Sequence, residues 1–104
     1  MPLTRSFKES VVKKIHNDRE YRQAFLLEAI NELLDGNLEI AKAMLRDYIN
    51  ATISFEPLAL ELHKNTKSIQ RMFGPRGNPT AQSFFNILKI IQKLEGIHLA
   101  ARLT

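Results

Sequence analysis

A chain of 104 residues is long enough for one compact domain and too short for two ordinary domains with separate cores. Its 44% hydrophobic and 25% charged residues exclude wholesale disorder, and the absence of cysteine excludes disulfides, thiolate metal sites and cysteine nucleophiles. The formal charge of +4 lies entirely in the second half, because residues 1–53 carry eight bases and eight acids whereas residues 54–104 carry seven bases and three acids.

No segment approaches the roughly eighteen apolar residues of a membrane span. The opening MPLTRSFKES lacks the apolar stretch of a secretory signal, so the expectation is a cytoplasmic protein. Ser6, with Glu9 three residues on, reads as a capping box for a first helix in which Phe7, Val11 and Ile15 recur every fourth residue. Asp18 caps a second helix carrying Phe25, Leu26, Ala29, Ile30 and Leu33, and Asp35-Gly36 stops it. Residues 1–36 thus read as an amino-terminal helical extension, and residues 37–104 as the principal domain.

Asn37 opens a third helix with the stripe Ala41, Met44, Leu45, Tyr48 and Ile49, which fades at Thr52-Ile53. Ser54 reads as the cap of a short fourth helix from Phe55 to His63, where Pro57 in the first turn is harmless. Asn65 caps a fifth helix to about Phe73, and the two glycines and two prolines of residues 74–79 forbid more helix. Thr80 caps a last long helix whose core stripe is Phe84, Ile87, Leu88, Ile91 and Leu94, leaving Phe85 and Ile90 on a second face. Beyond Gly96 the apolar period shortens to two, through Ile97, Leu99, Ala101 and Leu103, which predicts either a short carboxy-terminal strand pairing with a second copy, the favoured reading, or a frayed tail. Phe85, Ile90, Ile97 and Leu99 are therefore the expected homodimer interface.

Two helices of about eight residues joined by a brief turn and flanked by longer helices are the ingredients of a helix-turn-helix. From Leu62 to Leu94 there are six bases and no acid, and such an excess attracts polyanions, nucleic acid first. A solvated helix face has the same composition. The outward residues of the fifth helix, Thr66, Lys67, Ser68, Gln70 and Arg71, include the side-chain types that read base edges.

The stretch FEPLALELHKNTKSIQRMFGPRGNPTAQSFFNILKIIQKLEGIHL resembles the HigA-type, addiction-module-antidote or prophage DNA-binding family of lambda-repressor-like helix-turn-helix proteins. The resemblance rests on the Leu58-Ala59 pair, the Ser68-Ile69 of the following helix, Gly77-Asn78-Pro79 behind it and a final helix ending Leu-x-Gly-apolar, and it covers about Leu38 to Leu103. FLLEAINELLDG, from Phe25, looks like the family's amino-terminal segment. The resemblance implies an all-α bundle of five to six helices, a repressor that binds double-stranded DNA as a homodimer, and a RelE/HigB-like toxin as partner. It implies base reading by Thr66, Lys67, Gln70 and Arg71, and phosphate contacts by Ser54, Asn65, Ser68, Arg76 and Asn78. The chain departs from the family pattern at Phe55, where many members carry a glutamine that grips phosphate, and at His63-Lys64-Asn65, where a glycine is usual.

His16, His63 and His98 are isolated from one another and from carboxylates at one-turn spacing, so no metal site is expected. Gly74 to Pro79 lacks the Gly-Lys-Ser/Thr of a phosphate loop, and neither enzymatic activity nor a cofactor is expected. Tyr21, Phe25 and Tyr48 read as packing residues. The competing readings are a prophage-type regulator without a toxin and a protein-interaction module in which the helix-turn-helix is only scaffold.

Overall fold

The computed structural model describes residues 5–104. Six helices account for the regular structure of those residues: α1 Arg5–Asn17, α2 Arg19–Leu34, α3 Leu38–Ala51, α4 Phe55–Leu62, α5 Thr66–Met72 and α6 Ala81–Glu95. Their boundaries follow the caps. The Asp18 side chain accepts from the Tyr21 amide at 3.1 Å, that of Asn65 from Lys67 at 2.9 Å and that of Thr80 from Ser83 at 3.1 Å. Each satisfies an amide that the first helical turn leaves without a partner. Ser6 already lies inside α1 and is not its cap, because the helix runs from Arg5.

Three helices end on a residue in the left-handed region, where the chain doubles back and closes the last carbonyls. Gly36 at φ 85° ends α2, with Asn37 donating to Glu32, and Gly96 at φ 72° ends α6, with Ile97 donating to Gln92. His63 does the same for α4 at φ 54°, and the Lys64 amide donates to the Ala59 carbonyl. The tight bend between α4 and α5 is therefore made without glycine.

α1, α2 and α3 pack on one another, and α4 packs on both α5 and α6. One core runs through all of them. Ile15, Leu26, Leu45, Ile49, Leu58 and Ile69 are fully buried, and Ile87 and Ile91 nearly so, which draws side chains from each helix into one cluster. Three aromatics knit the second half together. Phe73 lies with its ring centroid 5.9 Å from those of both Phe55 and Phe84, edge-on to the latter, and so joins the start of α4, the end of α5 and the start of α6.

The expected carboxy-terminal strand is not formed among the described residues. Residues 97–104 follow α6 without regular structure. The alternation has another cause: Ile97 and Leu99 pack against the chain's own core, and the Leu99 amide donates to the Gln92 side-chain oxygen at 2.7 Å. Leu94 is also misplaced by the sequence pattern, since it is 59% exposed instead of completing the stripe of α6. No helix among the described residues is long and apolar enough to cross a membrane.

Candidate nucleic-acid interface

α5 is placed by what it buries. Ile69 is inaccessible to solvent, Phe73 just beyond the helix is buried, and Met72 packs partly against the core. Ala59 on α4 is also buried, and its small side chain suits a close crossing of α4 and α5. Everything else on α5 faces away: Lys67, Ser68, Gln70 and Arg71 are exposed, and Thr66 is half-buried at the first turn. At one-turn spacing, Lys67, Gln70 and Arg71 share one face, and Ser68 flanks Arg71.

The loop from Gly74 to Pro79 is built from both sides. Lys42 of α3, only 2% exposed, reaches across and donates from Nζ to the carbonyl oxygens of Gly74 at 3.0 Å and Gly77 at 2.8 Å. Its third partner is Glu39 one turn earlier, 2.6 Å away. A buried ammonium is tolerated only when so partnered. Gly77 presses on the end of α5: a Cβ there would lie 2.1 Å from the Arg71 carbonyl oxygen, so no other residue fits without moving the backbone. The Gly77 amide closes the loop on the Gly74 carbonyl at 3.0 Å. Arg76 and Asn78 are held on the outside of this pinned loop, both exposed.

The cations here have no acidic partners. Among the described residues, Lys64, Lys67, Arg71, Arg76, Lys89 and Lys93 form no ion pair, whereas Arg22 is paired with Glu95 at 3.0 Å and Lys42 with Glu39. Glu61 shares a cleft with Lys89 and Lys93 but makes no ion pair among the described residues.

Two of the expected phosphate contacts, Ser54 and Asn65, stand exposed at the starts of α4 and α5. Ser54 does not cap α4; its side chain makes no capping hydrogen bond and its backbone sits at φ 71°, ψ 157°. The conformation is imposed by the end of α3, where the Ser54 amide donates to the Ile49 carbonyl at 2.8 Å. Asn65 spends its side-chain oxygen on the cap of α5. The glutamine-like grip missing at position 55 is explained by packing, because Phe55 is 4% exposed against Phe73.

Of the four residues expected at a dimer interface, Phe85 alone is mostly exposed, at 68%; Ile90 is half-buried, and Ile97 and Leu99 lie against the chain's own core. Lys42 is the loop-holding residue that sequence reasoning missed. Its signal was present, since it stands beside Ala41 and one turn before Leu45 on the apolar side of α3, where a lysine requires a buried partner.

An apolar groove of about 530 Å³ lies between α1, α2 and α3, with Phe7, Val11, Phe25, Ile40 and Met44 in its walls. Asp47 stands among them, and burial raises its carboxyl above the usual value against the opposing pull of Lys8 and Arg46. Tyr21, at the same groove, has the Lys14 ammonium 4.7 Å from its ring centroid.

No protein-family model, curated protein or solved structure matches the chain.

Proposed function

We propose that the protein is a sequence-specific transcriptional repressor in which α4 and α5 form a lambda-repressor-like helix-turn-helix and α5 enters the major groove of duplex DNA. The observation that carries this reading is the outward face of α5: Lys67, Gln70 and Arg71 project together, unpaired, beside a pinned loop that holds out Arg76. Lys67 and Arg71 suit guanine, Gln70 suits adenine, and Thr66 suits a thymine methyl or a hydrogen bond. Arg76, Asn78 and Ser68 serve the phosphates, which set register and carry no sequence information.

A homodimer fits the reading, because two recognition helices about 34 Å apart meet successive major grooves on one face of the duplex. Phe85 on α6 is its anchor. The antitoxin role, with a RelE/HigB-like toxin as partner, rests on the family resemblance, and the apolar groove between α1, α2 and α3 is the surface that favours a protein partner.

The test separates base reading from phosphate binding. Arg71→Ala should lower affinity for the cognate duplex by about 1–3 kcal/mol and relax base preference, leaving random-sequence binding little changed. Arg76→Ala should weaken all sequences alike and reduce the slope of log affinity against log salt by about one. Equal losses on cognate and random duplex for both variants would refute the assignment.

A further inference from the structure

Away from the basic face, a cleft of about 390 Å³ opens where α1, α2, the end of α3 and the end of α6 converge. Its size is at the small end of ligand sites, which run from about 300 to 1,000 Å³. Ile53, Ile91 and Leu94 form apolar walls, and Arg22, Tyr48 and Glu95 form a polar end.

The polar end is organised. Arg22 donates from Nε to both Glu95 carboxylate oxygens at 3.0 Å and from Nη1 to the Ile15 and His16 carbonyls at 3.3 Å, while Gln23 donates to Glu95 at 3.2 Å. Both charges are thus compensated within the fold. Tyr48, 2% exposed overall, turns its hydroxyl to the cleft, where it makes no hydrogen bond within the described residues and is open to an occupant. Burial, and after it the Glu95 carboxylate, raises its pKa to about 12, so it remains a donor across the neutral range.

We propose that this cleft binds a small neutral amphipathic molecule, whose carbonyl or hydroxyl group pairs with the Tyr48 hydroxyl and whose apolar ring or chain lies against Ile53, Ile91 and Leu94. Neutrality follows from the Arg22–Glu95 pair, since a charged ligand would meet an ion pair already balanced and would lose its own hydration. Ala51, Thr52 and Ile53, which line the cleft, are also the joint between α3 and α4. An occupant therefore touches the segment that sets how α4 and α5 sit on the first three helices. This consequence rests on the DNA-binding reading, whereas occupancy does not and is measured without DNA.

The experiment titrates benzamide and phenol, with benzoate and benzylamine as charged counterparts, into the ¹⁵N-labelled protein and follows amide shifts. Saturable shifts confined to His16, Thr52, Ile53 and Glu95 are expected for the neutral probes, with at least tenfold weaker binding of the charged ones. Tyr48→Phe, which keeps the ring, should weaken benzamide at least tenfold, and Leu94→Trp, a surface change at the mouth, should block it. Absence of saturable shifts with both neutral probes, equal binding by Tyr48→Phe, or preference for a charged probe would overturn the proposal. Duplex affinity with and without saturating benzamide then reads the coupling, and unchanged affinity despite occupancy would remove the regulatory consequence alone.

Discussion

His63 holds a left-handed backbone that costs an L-residue roughly 1–2 kcal/mol, and it does so because Lys64 and His63 must both turn their amides back onto α4. His63→Gly should therefore raise stability by about 1 kcal/mol, read as an upward shift in denaturant midpoint. Ser54 is in a region used almost exclusively by glycine, and Ser54→Gly should gain a similar amount, about 1 kcal/mol. A loss of stability in both variants would mean that the two side chains make contacts outweighing their strain. Lys42 acts in the opposite direction. Lys42→Met keeps the bulk but leaves the half-buried Gly77 carbonyl without its partner and takes one of two hydrogen bonds from that of Gly74, and a loss of about 1–3 kcal/mol is expected in urea unfolding. Tyr48 gives the fold a pH limit. Its pKa is raised from 10.0 to about 12 by burial first and by Glu95 second, so the neutral hydroxyl is favoured in the folded state. The resulting stability is complete below pH 10 and is lost as pH rises towards about 12. The melting temperature of Tyr48→Phe should fall less steeply than that of the parent over this window; parallel curves would place the alkaline loss elsewhere.

At the scale of elements, several helix boundaries were legible because a residue with one dominant use stands there. Asp18, Asn65 and Thr80 accept amides at the starts where the sequence put them, and Gly36 and Gly96 end α2 and α6. The outward residues of α5 were legible too, since Lys67, Gln70 and Arg71 are exposed and Ile69 and Phe73 are buried opposite them. What was illegible depends on contacts distant in sequence. Ser54 resembles a cap, but its conformation is dictated by the carbonyl of Ile49 in the preceding helix. The alternation of Ile97 and Leu99 has the period of a strand, yet packing of an extended tail on one surface produces the same period, and Gln92 takes the hydrogen bond a neighbouring strand would have taken. The loop after α5 shows both limits together. Its glycines and prolines announced a turn, but only the fold shows that Gly77 is required by the carbonyls of Arg71 and Met72 and that Lys42 arrives from α3 to hold it. Gly77→Ala should consequently unfold or shift this loop and weaken DNA binding together with stability, whereas Arg76→Ala should leave stability within about 0.5 kcal/mol.

At the scale of the whole molecule, the division of charge between the two halves of the sequence survives folding. The acids of the second half are few, and Glu95 is turned onto Arg22, so the bases from Lys64 to Lys93 remain available to a polyanion. A single core joins α1 and α2 to the rest, and Arg22 ties α2 to the end of α6. Self-association was expected through Phe85, Ile90, Ile97 and Leu99; with the last two turned inward, the exposed Phe85 is the position to test. Under the proposed homodimer, sedimentation should show the parent as a dimer and Phe85→Glu as a monomer, and an unchanged dimer in the variant would place the interface elsewhere. The central claim is that α5 reads duplex DNA. It is tested most directly by fluorescence anisotropy with the duplex upstream of the protein's own coding sequence and a scrambled duplex, at two salt concentrations. Salt-dependent binding that prefers the native duplex by at least about a hundredfold is the expected result. Equal, weak binding to both would contradict it and leave α5 an unpaired basic face without a sequence to read.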